Sequence, residues 1–318
     1  MSASRKSIGV VITTVADWAN CIRLLTSLVV SSELPDDIVI VNNSSSTPLQ
    51  KELAQAPVRV RAIEAGAGLN MAFARDIGWR ELSTDICVFV DDDNVFEAAT
   101  IAHLRRAFSD PGTWAAAPVA ILGTSDVIWC AGVERGRWLG HTRFLCAGRL
   151  REDADIPQNS LEFPNCFAVR REALEALHGF DHARFPMHFS EAEFFKRFRL
   201  AGFGAVHVVG TSAVRHLQRN APQTGQGEML RVALHGGSQR LRDTAAARVR
   251  FFRLYAKQPE RLTLLGLGVP GWLLAVALRT FGSEGDLRLK LRVVGSLVRG
   301  TVDGFARLTP SSPVRTRA

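Results

Sequence analysis

Hydrophobic positions along the chain alternate between two kinds of pattern. Short continuous runs rich in Val and Ile are typical of buried strands, and they occur at residues 8–13, 38–41, 58–63 and 86–90. Segments with the apolar spacing of amphipathic helices lie between them, at residues 18–30, 48–55 and 70–82. This alternation predicts an α/β protein with a parallel sheet and helical crossover connections.

The pattern becomes less regular after residue 110. Residues 123–160 predict an irregular excursion, and a strand and a helix are expected again in FPNCFAVRREALEALHGFD. The segment SEAEFFKRFRLAGFGAVHVVG predicts a helix with Ser190 as N-cap and Glu193 completing a capping box. That helix is expected to end at Gly202 and to precede a strand. Residues 219–249 are polar and rich in Gly and Gln, so they predict a loop or linker.

Three consecutive carboxylates, Asp91 to Asp93, end the buried run at 86–90. Like charges in a row disfavour a strand, whereas parallel sheets bind ligands beyond the carboxyl ends of their strands. Thr13 and Asn42 end two other predicted strands at the same edge. Carboxylates two positions apart can share a divalent cation such as Mg²⁺ with substrate phosphates. Alternatively, Asp93 or the next residue caps a helix that begins near Glu97, which explains only one of the three acids.

Several segments, in their order along the chain, resemble family 2 glycosyltransferases of the GT-A fold. Ala74-Arg75-Asp76-Ile77-Gly78 is similar to the family's ARN-x-G helix, and Asp91-Asp92-Asp93 is similar to its DxD-type motif. IVIVNNSSST resembles the VDNGST turn, and SEAEFFKRFRLAGF resembles the ED-x-D-L-x-x-R-x-x-x-AG helix. The resemblance covers roughly residues 8–218, and the chain is similar to rhamnosyltransferase- and galactofuranosyltransferase-like members of the family.

This resemblance implies a fold, an activity and a set of site residues. The implied fold is the GT-A nucleotide-diphospho-sugar transferase fold, a Rossmann-like, mostly parallel sheet flanked by helices, with a C-terminal helical extension. The implied reaction is inverting, metal-dependent transfer of a hexosyl or deoxyhexosyl group. The residues implied to bind the nucleotide-sugar donor are Thr13, Asn42, Arg75, Asp91 and Asp92. Asp93 and His216 are implied to hold Mn²⁺ or Mg²⁺, and Glu191 to be the catalytic base.

Each of these residues also has a purely structural interpretation. A single His after a strand, such as His216, is usually packed or solvated. Glu191 and Glu193 complement the helix dipole whether or not one of them is a base. The chain also departs from the family pattern at Asn42, at Asp76 and at the pair Ser190-Glu191, which affects the identity of the substrates more than the fold.

The net charge of +8 is concentrated near the C-terminus. Twelve basic and four acidic residues lie from Arg250 onward, and the preceding residues contain 27 of each. This distribution argues against a nucleic-acid binder and predicts an anionic partner for the C-terminal part alone. The five cysteines are widely spaced without a CxxC pair, and the N-terminal residues lack a signal-peptide pattern. Both observations predict a cytoplasmic protein.

The C-terminal part combines basic and apolar residues. Residues 262–278 are uncharged and mostly apolar, a marginal length for a spanning helix, and Arg- and Lys-containing amphipathic segments flank them. We therefore expect a catalytic domain at 1–218, the linker at 219–249 and a basic, membrane-associating helical tail at 250–318. The alternative is that the tail is a helical pair packed on the catalytic domain.

The predicted function is glycosyl transfer to a polysaccharide or lipid-linked acceptor in cell-envelope glycan synthesis, at the inner face of the cell membrane. One alternative is a sugar nucleotidyltransferase, but the Gly-rich N-terminal loop of such enzymes is absent after Val11. The other is a membrane-associated sugar-nucleotide-binding or scaffold protein without turnover. Donor hydrolysis measured with and without Mn²⁺ distinguishes these classes.

Overall fold

The structure is a computed structural model that describes residues 5–15, 17–44, 56–66, 70–217 and 228–306. Its strands are β1 (Ile8–Thr14), β2 (Asp37–Asn42), β3 (Arg61–Glu64), β4 (Ile86–Asp91), β5 (Asn94–Phe96), β6 (Ala115–Leu122), β7 (Ile128–Cys130), β8 (Val133–Arg135), β9 (Thr142–Phe144), β10 (Asn159–Ser160), β11 (Cys166–Arg170) and β12 (Val206–His216). Its helices are α1 (Trp18–Val29), α2 (Met71–Glu81), α3 (Thr100–Ala107), α4 (Arg171–Ala176), α5 (Ser190–Leu200), α6 (Glu228–Tyr255), α7 (Glu260–Gly282) and α8 (Leu287–Phe305). The helix predicted at 48–55 lies outside the described residues.

One large sheet organises the molecule, and the predicted α/β class is confirmed. Its strands are arranged in the order β10-β12-β6-β11-β4-β1-β2-β3, with β5 and β7 joined at the side. The four strands β3, β2, β1 and β4 are parallel neighbours, and β11 enters antiparallel between β4 and β6. The register aligns Thr13 with Asp91 and Thr14 with Asn42. The ends of β1, β2 and β4 therefore meet at one edge of the sheet, as the sequence predicts.

Helix α2 lies close against this sheet for a reason visible in its sequence. A Cβ atom on Gly78 would lie 2.3 Å from a methyl carbon of Val11 in β1, so only glycine permits this approach. The side chain of Asn70 caps the helix by accepting a hydrogen bond of 2.9 Å from the backbone N–H of Phe73. The helix thereby holds Arg75 at the carboxyl edge of the sheet.

Two expectations about helix starts are wrong. Helix α5 begins after Phe189, whose φ is +63°, and Glu193 bonds with Arg197 instead of completing a capping box. Helix α3 begins at Thr100 with Ala99 as its cap residue, so Asp93 does not cap it. The residues after Asp93 form strand β5 instead.

The predicted linker at 219–249 is also wrong from Glu228 onward, because helix α6 occupies this part of the chain and continues to Tyr255. The helix bends at Gly237, whose φ is +69°. It packs on the sheet domain through an apolar cluster that joins Phe185 and Ala192 to Val249, Phe252 and Leu264. The C-terminal helical extension is therefore present, and it is attached to the sheet domain through a shared core.

The last two helices complete this extension. Helix α7 contains a π-helical turn at Leu264–Gly268. Helix α8 lies directly against α6, because a Cβ atom on Gly300 would be 2.0 Å from the carbonyl oxygen of Arg242, and one on Gly304 would be 2.8 Å from that of Ala246. Two glycines thus allow the backbones of α8 and α6 to touch.

Candidate active site

A cleft opens at the carboxyl edge of the sheet. It is bounded by the ends of β1 and β4, the start of α5, the β8–β9 hairpin and one face of α6. Its volume of about 690 Å³ suits a small-molecule substrate. The predicted residues Thr13, Arg75, Glu191 and His216 line it, together with Asp91 to Asp93.

Arg75 is the central group of the cleft and is 2% exposed. Its Nη2 donates to Asp91 Oδ1 at 3.0 Å and its Nη1 donates to Glu191 Oε1 at 2.5 Å. One guanidinium therefore fixes a carboxylate at a strand end and a carboxylate at a helix start. Arg75 was expected to contact the donor nucleotide, but in this structure its terminal nitrogens are used by these two acids.

The electrostatic environment differs among the acids. Burial favours a higher pKa for Glu191, but the Arg75 charge and hydrogen bonds from Ser190 and Arg75 keep its pKa below the usual value. Glu191 is consequently ionised at neutral pH, the state that a general base needs. Burial raises the pKa of Asp91, and the charge of Arg75 opposes this increase.

The strand ends supply two further contacts. The hydroxyl of Thr13 donates to Asp91 Oδ1 at 3.0 Å, and the hydroxyl of Thr14 donates to Asp92 Oδ2. The pKa of Asp92 is raised to about 7, mainly by burial and further by the negative charges of Asp93 and Asp91. The hydrogen bond from Thr14 acts in the opposite direction.

Asp93 and His216 are brought together by strand pairing. His216 ends β12 opposite Asn94 of β5, and the backbone N–H of Leu217 donates to the Asp93 carbonyl at 2.7 Å. The Asp93 Oδ2 and His216 Nε2 atoms are 2.9 Å apart, and the ring of Trp129 lies 4.7 Å from the His216 ring.

This pair fits a divalent metal. Two neighbouring ligands of an octahedral ion, each about 2.1 Å from it, lie about 3 Å apart, which matches the spacing of these two atoms. His216 Nδ1 is buried and has no hydrogen-bond partner in the described structure. Within the described ranges, no group of three or more His, Cys, Asp or Glu side chains is arranged to hold a metal ion.

The two glutamates at the start of α5 have different environments. Glu191 faces the cleft, and the hydroxyl of Ser190 lies 2.8 Å from its Oε2. Glu193 is fully buried, where it pairs with Arg197 at 2.7 Å and accepts a hydrogen bond of 2.6 Å from the hydroxyl of Tyr255. Only Glu191 is placed to receive a proton from a substrate.

Two other residues singled out from the sequence have structural contacts. Asn42 is fully buried at the end of β2 and donates to Glu64 Oε2 at 2.7 Å, and it is not among the described residues that line the cleft. Asp76 accepts hydrogen bonds from Trp79 Nε1 at 2.8 Å and from the backbone N–H of Phe180 at 3.2 Å. Asp76 therefore joins α2 to the segment after α4.

Sequence reasoning missed the residues on the opposite wall of the cleft. Arg135 on the β8–β9 hairpin pairs with Glu162 at 2.5 Å and lies 4.8 Å from the ring of Phe189. His188 and Arg240 complete this wall. The helical spacing of Arg240, Thr244 and Arg248 was a usable signal, but it lay in the segment interpreted as a linker.

Comparisons with known proteins agree with this architecture. The model of the family described as glycosyl transferase family 2 matches residues 9–177, more than half of the 318-residue chain. No curated protein sequence is significantly similar to the chain.

Two solved structures share its fold. A crystal structure of GalNAc-T7 with UDP, GalNAc and Mn²⁺ has a TM-score of 0.61 at 14% identity, covering 93% of this chain and 55% of that one. This chain thus spans about half the length of GalNAc-T7. The mannosyltransferase PcManGT from Pyrobaculum calidifontis, in complex with GDP-Man and Mn²⁺, has a TM-score of 0.55 at 14% identity, covering 96% of this chain and 88% of that one.

Proposed function

The chain belongs to glycosyl transferase family 2, and we propose that it transfers a hexosyl or deoxyhexosyl group from a nucleotide-diphosphate donor to a glycan or lipid-linked acceptor. The observation that carries this proposal is the guanidinium of Arg75, which holds Asp91 and Glu191 on either side of it. A donor-side acid and a candidate base are thereby fixed at adjacent positions of one cleft. UDP or GDP sugars, of the kind present in the two similar structures, are the first donors to test.

The residues support an inverting displacement. Glu191 takes the proton of an acceptor hydroxyl while the hydroxyl oxygen attacks the anomeric carbon of the donor sugar. The bond from that carbon to the nucleoside diphosphate breaks in the same step. The electron pair of that bond leaves with the diphosphate. Arg75 holds the Glu191 carboxylate ionised and oriented, and the ends of β1 and β4 provide the floor on which the donor lies.

Asp93 and His216 are the residues that we propose hold a divalent metal. When bound, Mn²⁺ or Mg²⁺ stabilises the negative charge of the diphosphate leaving group. The 2.9 Å spacing of Asp93 Oδ2 and His216 Nε2 supports this assignment.

Donor hydrolysis by the purified full chain tests this function. We expect release of nucleoside diphosphate from one or more nucleotide sugars, including UDP- and GDP-sugars and donors of rhamnose and galactofuranose, in Mn²⁺ but not in excess chelator. Asp93→Ala should abolish this release without changing the circular dichroism spectrum, and Asp153→Ala, at an exposed carboxylate, is the control. Full activity of the Asp93 variant in chelator would refute the proposed metal site.

The same assay separates other functions. Binding of a nucleotide sugar without any turnover in the presence of candidate acceptors would instead indicate a binding or scaffold protein. Formation of a nucleotide sugar from a sugar phosphate and a nucleoside triphosphate would indicate a nucleotidyltransferase.

We further propose that α7 and α8 attach the enzyme to an anionic membrane surface, where it acts in cell-envelope glycan synthesis on the cytoplasmic side. Helix α7 is long and apolar enough to cross a membrane by length and composition alone. Leu274 and Leu278 of this helix are 61% and 65% exposed. Exposed arginines on α8, Arg288, Arg292 and Arg299, supply the charge that anionic lipid attracts.

Vesicle sedimentation tests this attachment. The full chain should sediment with anionic vesicles and much less with neutral ones, and high salt should release it only partly because apolar burial persists. A double variant, Leu274→Gln with Leu278→Gln, should lose most of the binding. Leu200→Gln, an equally exposed leucine of α5, is the control. Equal sedimentation of all variants with both vesicle types would refute a specific membrane face.

A further inference from the structure

The α6 wall of the cleft contains a cation that the fold does not neutralise. Arg240 lines the cleft, and its Nε atom is buried without a hydrogen-bond partner. Burial lowers the pKa of Arg240, and no neighbouring carboxylate in the described part of the chain raises it. Arg240 as a whole is partly buried, and partial removal of a guanidinium from water is unfavourable unless the group meets an anion.

The other arginines of the cleft already have partners. Arg75 is paired with Asp91 and Glu191, and Arg135 is paired with Glu162. Of the arginines that line the described cleft, Arg240 is therefore the one with its charge available to a ligand.

A second unpartnered group lies beside it. His188 Nε2 is buried without a hydrogen-bond partner, and His188 also lines the cleft. Burial lowers the pKa of His188 to about 4, and the nearby charge of Arg240 acts in the same direction. The imidazole is consequently neutral at pH 7, and the tautomer protonated at Nε2 can donate one hydrogen bond to an anion held by Arg240.

We propose that Arg240 and His188 form a subsite for a phosphate group of the acceptor. Phosphate oxygens match the donor geometry of a guanidinium, and a neutral imidazole adds a further donor. This inference rests on the proposed function, which places the donor diphosphate at Asp93 and His216. His188 and Glu191 are three positions apart and both line the cleft, and the charge of Glu191 raises the pKa of His188. The subsite is therefore adjacent to the proposed base, where an acceptor must lie.

The position of α6 extends the argument to the source of the phosphate. The helix that carries Arg240 is packed against α8 and precedes α7, and both of these helices expose apolar side chains. A phosphate attached to a lipid could occupy the subsite while its chain lies along these helices. A soluble phosphorylated glycan shares the same phosphate chemistry, and the experiment distinguishes the two sources.

Calorimetric titration of the full-length protein, in chelator and without nucleotide, tests the subsite with inorganic phosphate and with a short-chain prenyl phosphate as probes. Arg240→Gln should weaken binding of both probes by about 10- to 100-fold, the usual effect of losing hydrogen bonds to a charged group. Arg240→Lys should recover part of the affinity because it keeps the charge. Arg106→Gln removes the same charge from an exposed position of α3, away from the cleft, and should leave binding unchanged.

The outcomes are separable from those of the proposed function. Wild type and Arg240→Gln should bind nucleoside diphosphate with Mn²⁺ equally well. If Arg240→Gln loses nucleotide binding, or if its phosphate affinity equals that of the wild type, the acceptor subsite is overturned. Tighter binding of the prenyl phosphate, dependent on Arg240, supports a lipid-linked acceptor, and equal affinities support a soluble one. Failure of the wild type to bind any nucleotide counts against the proposed function. The phosphate titration still shows, independently of that result, whether phosphate binding depends on Arg240.

Discussion

The two walls of the cleft are built in opposite ways. On the sheet side, Asp91 ends strand β4 and Asp93 follows it, and the contacts of Arg75 and His216 hold these two acids in place. On the α6 side, Arg240 comes from a helix and its guanidinium has no partner in the described structure. The sheet side is thus electrostatically organised before a substrate arrives, whereas the α6 side needs an anion for its charge to be neutralised.

This difference teaches where each kind of chemistry is placed. Asp91 and His216 are attached to strand ends, whose positions the sheet ladder fixes, and the ion pair with Arg75 holds Glu191 of α5 against the same edge. The subsite that we propose for the acceptor phosphate is instead on α6, a helix that follows the sheet domain in the sequence. Substitutions on the sheet side should therefore change turnover, and those on the α6 side should change affinity or stability.

Among conservative substitutions, the largest effect is expected at Glu191, where the two walls meet. Glu191→Gln keeps the size and one hydrogen-bond acceptor for Arg75 but cannot take the acceptor proton, so kcat should fall by about 10²–10⁴-fold. Steady-state kinetics with donor and acceptor, together with calorimetry for donor affinity, measure this effect. Glu172→Gln, at an exposed position on α4, is the control. Lost donor binding with normal turnover at saturation would show that Glu191 belongs to the donor site.

A somewhat smaller loss is expected when the metal pair is changed conservatively. Asp93→Asn keeps the shape and an oxygen atom but removes the charge, and kcat/KM should fall by about 10²–10³-fold because several kcal/mol of leaving-group stabilisation are weakened. Activity should partly recover at raised Mn²⁺ concentration, which a metal titration measures. If the Mn²⁺ dependence of the variant equals that of the wild type, Asp93 is not a ligand of the metal.

A moderate change in stability should follow from loosening α6. Tyr255→Phe removes a hydrogen bond to the buried Glu193 carboxylate, which normally contributes about 1.5–3 kcal/mol, so Tm should fall by about 3–8 °C. Thr26→Val, which removes an exposed hydroxyl on α1, is the control and should shift Tm by less than about 1 °C. A Tm equal to that of the wild type would show that α6 is held to the sheet domain without this bond.

The smallest effect is a pH-dependent stabilisation at Asp92. Burial is the main reason that its folded-state pKa, about 7, lies above the ordinary value for an aspartate, which is about 3.9. Stability contributed by the protonated form is therefore present below about pH 4 and lost as the pH rises through 7. In chelator, Asp92→Asn should raise Tm at pH 8 by about 2–4 °C per kcal/mol gained, and the advantage should shrink as the pH falls towards 4. A pH-independent difference in thermal scans would contradict this assignment.

The sequence was sufficient to predict the strands on the sheet side of the cleft and the acidic motif at the end of β4. Buried strands of Val and Ile have a strong pattern, and a motif at a strand end is located once the strand is located. Asp91 and Asp93 were therefore predicted from the strand pattern, whereas His216 was implied only by the family resemblance. The pairing of β5 with β12, which joins residues more than a hundred positions apart, is what brings Asp93 to His216.

The α6 side could not be predicted for a physical reason. Its helix begins in a Gly- and Gln-rich segment whose local propensity is weak, and it is stabilised by tertiary contacts such as those of Val249 and Phe252. The helical pattern alone did not distinguish Glu191 from Glu193, because both begin the same helix, and only the family resemblance implied Glu191 as the base. The contacts of Glu193 with Arg197 and Tyr255 decide which of the two faces the cleft.

The contact between α8 and α6 has a consequence for comparing this chain with its relatives. Gly300 and Gly304 meet the α6 backbone at Arg242 and Ala246, within two turns of Arg240. Any larger residue at Gly300 would force the two helices apart and shift the α6 register against the cleft. A homologue in which both positions are occupied by bulky residues must have rebuilt this wall. These two glycines therefore provide a simple sequence marker for homologues that keep the same contact between α8 and α6, even where the strand-end motifs are identical.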